Sequence, residues 1–241
     1  MTFFSYVRSY KNQKKVKNKK IILVTFVAFA FFIGCKKKSE TISMHLNYFG
    51  LTPGKYVIYN VKEMKHDETV GQHDTLVYQL KTYIGQQHID NQGRTAREFY
   101  RYTRSTNLDS WVLKDLWTII IAQYKAEIVE ENQRIIKLVF SPTTDKKWNP
   151  NAFNTYDPLE YSYSNIHKPL VFNGITFDST LVVEQGSFKS LIDFQTMHEV
   201  YATNVGLVSK VYKNLKIADF DTLNVKKGTE IYYNFVEHGF E

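Results

Sequence analysis

The sequence predicts a mainly β protein, an antiparallel meander that curls into a half-open or closed barrel with at most one or two short helices. Two observations predict this class. Apolar and polar residues alternate with period two over successive segments, and Gly, Pro, Asn and Asp separate those segments. The segments are rich in β-branched and aromatic residues, which suit a pleated surface. A β-sandwich is the alternative architecture.

The first two predicted strands form a long hairpin. Residues 55–65 alternate, with Val57, Tyr59 and Val61 on one face, and residues 74–84 repeat the pattern. The connection between them is polar and contains a glycine, as expected of a hairpin turn.

The third predicted strand, residues 95–104, mixes arginines with aromatic residues. Arg97 and Arg101 share one face and Arg104 lies on the other. We expect a solvated sheet face here, with cation–π contacts or an acidic ligand as the alternative.

The rest of the chain is predicted with one ambiguity and one irregular crossing. Residues 111–124 fit an amphipathic helix or a buried strand equally well. Residues 141–169 hold four of the five prolines, which predicts an irregular segment with one short strand at 160–164. The remaining predicted elements are a hairpin over 125–140, strands over 175–185, 196–202 and 207–215, and a strand or short helix over 229–237.

The N-terminal residues have the pattern of a secretion signal. Residues 1–20 carry seven Lys and Arg and no acid, and an apolar run over 21–34 follows. This run is shorter than the roughly 20 residues that a spanning helix needs. Cys35, the only cysteine, comes directly after Gly34, and the sequence Phe32 to Cys35 resembles the lipobox of bacterial lipoproteins.

Three features together make the chain similar to the uncharacterised single-domain lipoproteins of Bacteroidota. They are the lipobox at Cys35, the glycine and aromatic-rich strand of residues 51–61, and the segment 199–208. The resemblance implies cleavage before Cys35, acylation of its thiol and new amino group, and attachment to the membrane through these acyl chains. It implies a β-rich envelope protein and assigns no catalytic residue.

The predicted organisation is a signal peptide over 1–34, an acylated cysteine and polar tether over 35–48, and one β-rich domain over 49–241. The positive net charge of +7 resides entirely in the signal peptide, because its seven basic residues have no acidic counterpart. The mature chain is formally neutral, so we expect no nucleic-acid partner. No run of acids follows Cys35, and we therefore expect the outer membrane, facing the periplasm.

Two groups of side chains are candidate ligand sites. His66, Asp67, His73 and Asp74 flank the first hairpin connection and could meet around a divalent cation. A hydrated, charged loop explains the same residues without a metal.

The second group lies in the irregular crossing. Trp148, Asn151, Phe153 and Asn154 combine aromatic faces with side-chain amides, as sugar-binding sites do. A loop that docks its own aromatic residues into the core is the more economical interpretation.

The functional hypothesis is a non-enzymatic envelope module that binds an apolar ligand or an envelope protein. The sequence contains no local signature of a hydrolase, metalloprotease or phosphate-binding loop, and we expect no cofactor. A periplasmic hydrolase or a glycan-binding protein is the alternative, because many catalytic sites assemble from distant strands.

Overall fold

The computed structural model describes residues 43–241. Twelve antiparallel strands make up a single sheet, and the only helical pieces among these residues are two 3-10 turns, Leu46–Tyr48 and Glu68–Val70. The strands are β1 (Lys55–Asp67), β2 (Gln72–Ile89), β3 (Thr95–Arg104), β4 (Val112–Ala122), β5 (Lys125–Glu130), β6 (Gln133–Val139), β7 (Lys147–Trp148), β8 (Tyr161–Phe172), β9 (Ile175–Lys189), β10 (Asp193–Ala202), β11 (Gly206–Ala218) and β12 (Asp221–Phe240).

The sheet is a meander in which the first and last strands pair with each other, so that its two edges are β6 and β7. From β1 the order runs to β6 in one direction, and from β12 it runs back to β7 in the other. The edge strands β6 and β7 then approach each other: Trp148 Nε1 donates to Ile136 O at 3.1 Å, and Ile136 N donates to Pro150 O at 2.9 Å. The predicted antiparallel barrel is therefore confirmed, in a nearly closed form.

The period-two pattern of the first strand sets which side chains face the interior. Val57, Tyr59 and Val61 are all buried, as their alternation predicts, and β1 pairs with β2 on one side and β12 on the other. Tyr59 also donates a hydrogen bond from its hydroxyl to Leu207 O at 2.8 Å. Because β1 is hydrogen-bonded to a neighbouring strand along both of its edges, it is an interior strand of the sheet and not an edge strand.

The ambiguous segment is the strand β4. Leu113 and Leu116, which belong to the helical stripe in the sequence, are exposed, whereas Ile119 and Ile120 are buried. Ile119 and Ile120 lie in the part of β4 that pairs with both β3 and β5, whereas Leu113 and Leu116 lie in the part that pairs with β3 alone. Tertiary pairing decides what the local pattern leaves open.

Two further predictions are wrong in extent. The irregular crossing is shorter than expected, because β8 runs from Tyr161 to Phe172 and includes Pro169. The final segment is one 20-residue strand, β12, with no helix. Tyr48, which the sequence places in the tether, is fully buried and bonds to His167 Nδ1 and Ser179 Oγ at 2.8 and 2.7 Å.

Three clusters of buried side chains fill most of the interior. The largest gathers residues of β1, β2, β9, β10, β11 and β12. The second includes Leu138 and Trp148, and the third consists of Ile84, Ile119 and Ile128. Within residues 43–241 there is no helix of the length and apolarity needed to cross a bilayer.

Candidate functional site

A cavity of about 110 Å³ lies inside the barrel where the three core clusters meet. Much of its wall is apolar, built from Val57 and Leu80 of the first cluster, Ile84 and Ile119 of the third, and the Trp117 ring. An engineered apolar cavity of about 150 Å³ stays dry and binds benzene. The space in this barrel is somewhat smaller, and its wall is not apolar throughout.

Charged side chains interrupt the apolar wall. Four cations line the cavity, and two carboxylates line it with them. They are Lys55, Arg101, Lys137 and Lys210, with Glu130 and Glu199. Removing a charge from water is unfavourable unless a partner compensates for it, so the contacts of each group determine whether its charge is compensated.

Lys137 and Glu199 form the central ion pair of this wall. Lys137 Nζ lies 2.6 Å from Glu199 Oε1, and Tyr201 donates its hydroxyl proton to Glu199 Oε2 at 2.6 Å. Burial by itself would raise the pKa of Glu199, but Lys137 and Lys210 outweigh it and hold that pKa at about 2. Burial likewise works against the charge of Lys137, and the nearby Glu199 and Glu130 raise its pKa above the ordinary value.

Arg101 and Lys210 are also neutralised by their surroundings. Arg101 Nη1 lies 2.6 Å from Asp115 Oδ2, and the guanidinium carbon stands 3.9 Å from the centre of the Trp117 ring. Lys210 Nζ is 3.8 Å from Glu199 Oε1. The solvated face expected for Arg101 is therefore wrong: this side chain is buried, and the cation–π alternative describes it.

Lys55 differs from the other three cations. It is the first residue of β1 and is only 3% exposed, yet its Nζ atom makes no ion pair or hydrogen bond with any residue in 43–241. Burial lowers the pKa of this ammonium group. Burial and the charge of Lys55 also lower the pKa of His238.

Gly50 brings the backbone of the entering chain close to this ammonium group. A Cβ atom at Gly50 would lie 3.4 Å from Lys55 Nζ, and the glycine has φ +54, where a side chain is strained. Gly50, Lys55, Val205 and Gly206 all line the cavity. The ammonium group is held among small residues and backbone, without a carboxylate.

The structure brings Trp148, Asn151, Phe153 and Asn154 together after β7, but it engages their polar groups internally. Trp148 is buried and donates to β6. Asn151 Nδ2 donates to Asp157 O at 2.7 Å, and Asn154 Nδ2 donates to Asn151 Oδ1 at 3.1 Å. Phe153 stays 42% exposed. These contacts support the self-docking loop, and binding of a sugar here stays a prediction.

The two histidines of the first hairpin also come together. His66 and His73 are cross-strand partners with their Nδ1 atoms 3.1 Å apart. Asp67 instead pairs with Lys227, and Asp74 accepts from Gln72. Across the described part of the chain, no three His, Cys, Asp or Glu side chains are arranged to hold a metal ion. The metal site of His66, Asp67, His73 and Asp74 stays a prediction that a zinc titration would test.

Cys35 lies outside the described residues, and its acylation stays a prediction. Of the charged residues of the cavity wall, the sequence analysis names only Arg101. One signal was present: Lys55 is in phase with Val57, Tyr59 and Val61, so the strand period directs it inward. Nothing local marks Lys137 and Glu199, which are 62 residues apart in the chain.

Comparison with known proteins gives only remote similarities. A scan against models of protein families found no match, and a search of curated proteins found none. Among solved structures, a protein described as a lipoprotein from Parabacteroides distasonis is 12% identical, with a TM-score of 0.39 over 80% of this chain and 98% of its own.

Two more solved structures are similar at the same low level. A protein described as exported, with a YmcC-like fold, from Bacteroides fragilis is 10% identical and has a TM-score of 0.40, covering 78% of this chain and 98% of its own. A domain described as an outer membrane lipoprotein-sorting protein from Vibrio parahaemolyticus is 10% identical with a TM-score of 0.19, covering 78% and 86%. Similarities this weak transfer no activity, so function has to be inferred from the geometry of this chain.

Proposed function

We propose that this protein is a lipid-anchored envelope module without enzymatic activity, and that it binds a small apolar ligand inside its barrel. The anchor is Cys35, and the expected location is the periplasmic side of the outer membrane. The observation that carries the binding proposal is the cavity of about 110 Å³ between the three core clusters. Burial of apolar surface in such a space contributes roughly 25 cal/mol per Å².

The size of the cavity limits the ligand. Pockets for drug-sized molecules measure about 300–1,000 Å³, well above the space available here. A long acyl chain therefore does not fit, whereas a body of a few carbon atoms does. The rest of the concavity is packed with the protein's own side chains.

The central ion pair favours binding over catalysis. A general acid or base works best when its pKa lies near the operating pH. The pKa of Glu199 is about 2 and the pKa of Lys137 is raised, so both stay ionised near neutral pH. Their ion pair can stabilise the cavity wall, but neither group is suited to act as a general acid or base. The hydrolase or glycan-binding alternative would require a different cleft.

Methyl NMR of the mature protein in lipid nanodiscs tests the binding proposal. Ile84 and Ile119 line the cavity, whereas Ile89 and Ile175 are exposed and serve as internal controls. Titration with 1-butanol should shift the δ1 methyl signals of the first two and leave those of the last two unchanged. If all four signals move together, or none moves, the binding proposal is wrong.

A pair of variants makes this test specific to the cavity. Ile128→Phe places a larger side chain at the wall and should weaken the butanol shifts of Ile84 and Ile119. Ile175→Phe adds the same volume at an exposed position and should leave them as they are. Equal effects of the two variants would show that butanol acts elsewhere.

The anchor is tested separately. Cys35→Ser should abolish acylation and move the protein out of the membrane fraction, because no thiol remains to carry the chains. Fractionation of envelopes followed by mass spectrometry of the N-terminus measures this. Unchanged attachment in the variant would contradict the lipoprotein proposal.

A further inference from the structure

We infer that the ligand of this cavity is a small anion with an apolar body, a short-chain carboxylate, whose head group pairs with the ammonium group of Lys55. This inference rests on the proposed function, since it names the ligand class of the same cavity. Its starting point is Lys55, which is only 3% exposed, lines the cavity and has no carboxylate within 4 Å among residues 43–241.

The charged groups around the cavity include more cations than carboxylates. The four cations of the wall face the two carboxylates of the wall and Asp115, which pairs with Arg101. One positive charge is left over. Arg101, Lys137 and Lys210 each have a carboxylate within 4 Å, so within the described residues Lys55 is the cation left without one.

Leaving such a cation without a partner is unfavourable. An ammonium group that is partly removed from water and has no counter-ion is less stable in its charged form, and an anion beside it compensates for this. The lowered pKa of Lys55 agrees with this loss of hydration. An anion brought in with a ligand would remove the penalty and add a charge-assisted hydrogen bond.

The wall of the cavity is partly charged and partly apolar. The ammonium group of Lys55 lies beside Gly50, and Val57, Leu80 and Ile84 line the same cavity. A molecule with one charged end and a short hydrocarbon body matches both parts at once. Butanoate has this shape, and its body is of a size that the cavity can hold.

The competing ligand classes fit less well. A neutral molecule of the same length would leave Lys55 unpartnered, and a cation would face the surplus positive charge directly. A larger anion would have to displace the packed core. The geometry therefore selects against 1-butanol and butylammonium in favour of butanoate.

The test is a comparison of these three probes on the wild-type mature protein, using the methyl signals of Ile84 and Ile119. Butanoate should bind about tenfold more tightly than 1-butanol, and butylammonium should cause no shift. Equal binding of butanoate and 1-butanol would overturn the inference and leave the proposed function standing. No shift with any probe would instead reject the proposed function itself.

Variants then assign the preference to one residue. Lys55→Met should reduce the affinity for butanoate to that for 1-butanol, while binding of 1-butanol is retained. Lys62→Met is the matched control, because Lys62 lies on the same strand and is exposed; it should leave both affinities unchanged. A loss of butanoate binding in both variants, or in neither, would overturn the role of Lys55.

Discussion

Lys55 and Lys137 line the same cavity, and both are nearly buried, at 3% and 8% exposure, but their surroundings are opposite. Lys137 contacts Glu199 at 2.6 Å, and its pKa is raised. Lys55 has no such partner within the described residues, and its pKa is lowered. Burial alone therefore does not set the direction of the pKa shift of a lysine in this cavity. A nearby carboxylate raises the pKa, and burial without a carboxylate lowers it.

The surroundings of the two lysines therefore have different roles. Near Lys137, Glu199 of β10 lies within 4 Å of both Lys137 of β6 and Lys210 of β11, and these ion pairs join distant parts of the sheet. Near Lys55, the charge is held by backbone and apolar groups and remains available. The first arrangement contributes to stability, and the second costs stability until a ligand arrives.

Breaking the pair of Lys137 and Glu199 should give the largest effect. Lys137→Met leaves Glu199 as a buried anion that has lost its nearest cation, and we expect a loss of about 3–5 kcal/mol in the free energy of unfolding. Urea denaturation of the variant and the wild type measures this. The double variant Lys137→Met/Glu199→Leu should recover most of the loss, because the buried anion is then removed together with its cation, and Lys210, which also loses Glu199, is partly exposed to water. A full loss in the double variant would contradict the explanation.

Acid should weaken the same ion pair. The pKa of Glu199 is about 2 in the folded protein, against an ordinary value of 4.5. Its contribution is therefore fully present above pH 4.5 and is lost as the pH falls towards 2, a total of roughly 3 kcal/mol. In Glu199→Gln this part of the acid dependence should be missing. Identical slopes for variant and wild type between pH 4.5 and 2 would refute the assignment.

At alkaline pH, the stability contributions of Lys55 and Lys137 should change in opposite directions. The unfolded chain binds the Lys55 proton up to its ordinary pKa of 10.5, whereas the folded protein releases it earlier. Stability relative to Lys55→Met should thus rise as the pH approaches 10.5 from below. The contribution of Lys137 is complete below 10.5 and is lost as the pH rises towards its raised pKa. Slopes of the same sign in the two comparisons would contradict the account.

The smallest effect is expected for the stability of Lys55→Met near neutral pH. Removing an unpaired cation leaves no buried anion behind, so the free energy of unfolding should change by less than about 1 kcal/mol or increase. Urea denaturation beside Lys137→Met provides the comparison. A loss as large as that of Lys137→Met would mean that Lys55 has a structural partner.

The sequence predicts the barrel class because strand periodicity is local. Val57, Tyr59 and Val61 show their common face within one strand, and the structure buries all three. The segment around Leu113 and Leu116 misleads for the same reason: its spacing suits a helix, and only pairing with neighbouring strands settles its conformation.

The site is harder to predict than the fold, since its residues meet only through non-local pairing. Glu199 contacts Lys137 although the two are 62 residues apart in the chain, and no local sequence pattern predicts the contact. Lys55 is an intermediate case. Its inward direction follows from the strand period, but the absence of a nearby carboxylate can be known only from the assembled cavity.

The central claim is most directly tested by NMR titration of the lysine side-chain ammonium groups, assigned with Lys55→Met and Lys137→Met. The account predicts a pKa below the ordinary value for Lys55 and above it for Lys137. Saturation with butanoate should then raise the pKa of Lys55 and leave that of Lys137 unchanged. An ordinary pKa for Lys55 that butanoate does not alter would contradict the claim that this cation is buried, unpaired and able to receive a carboxylate.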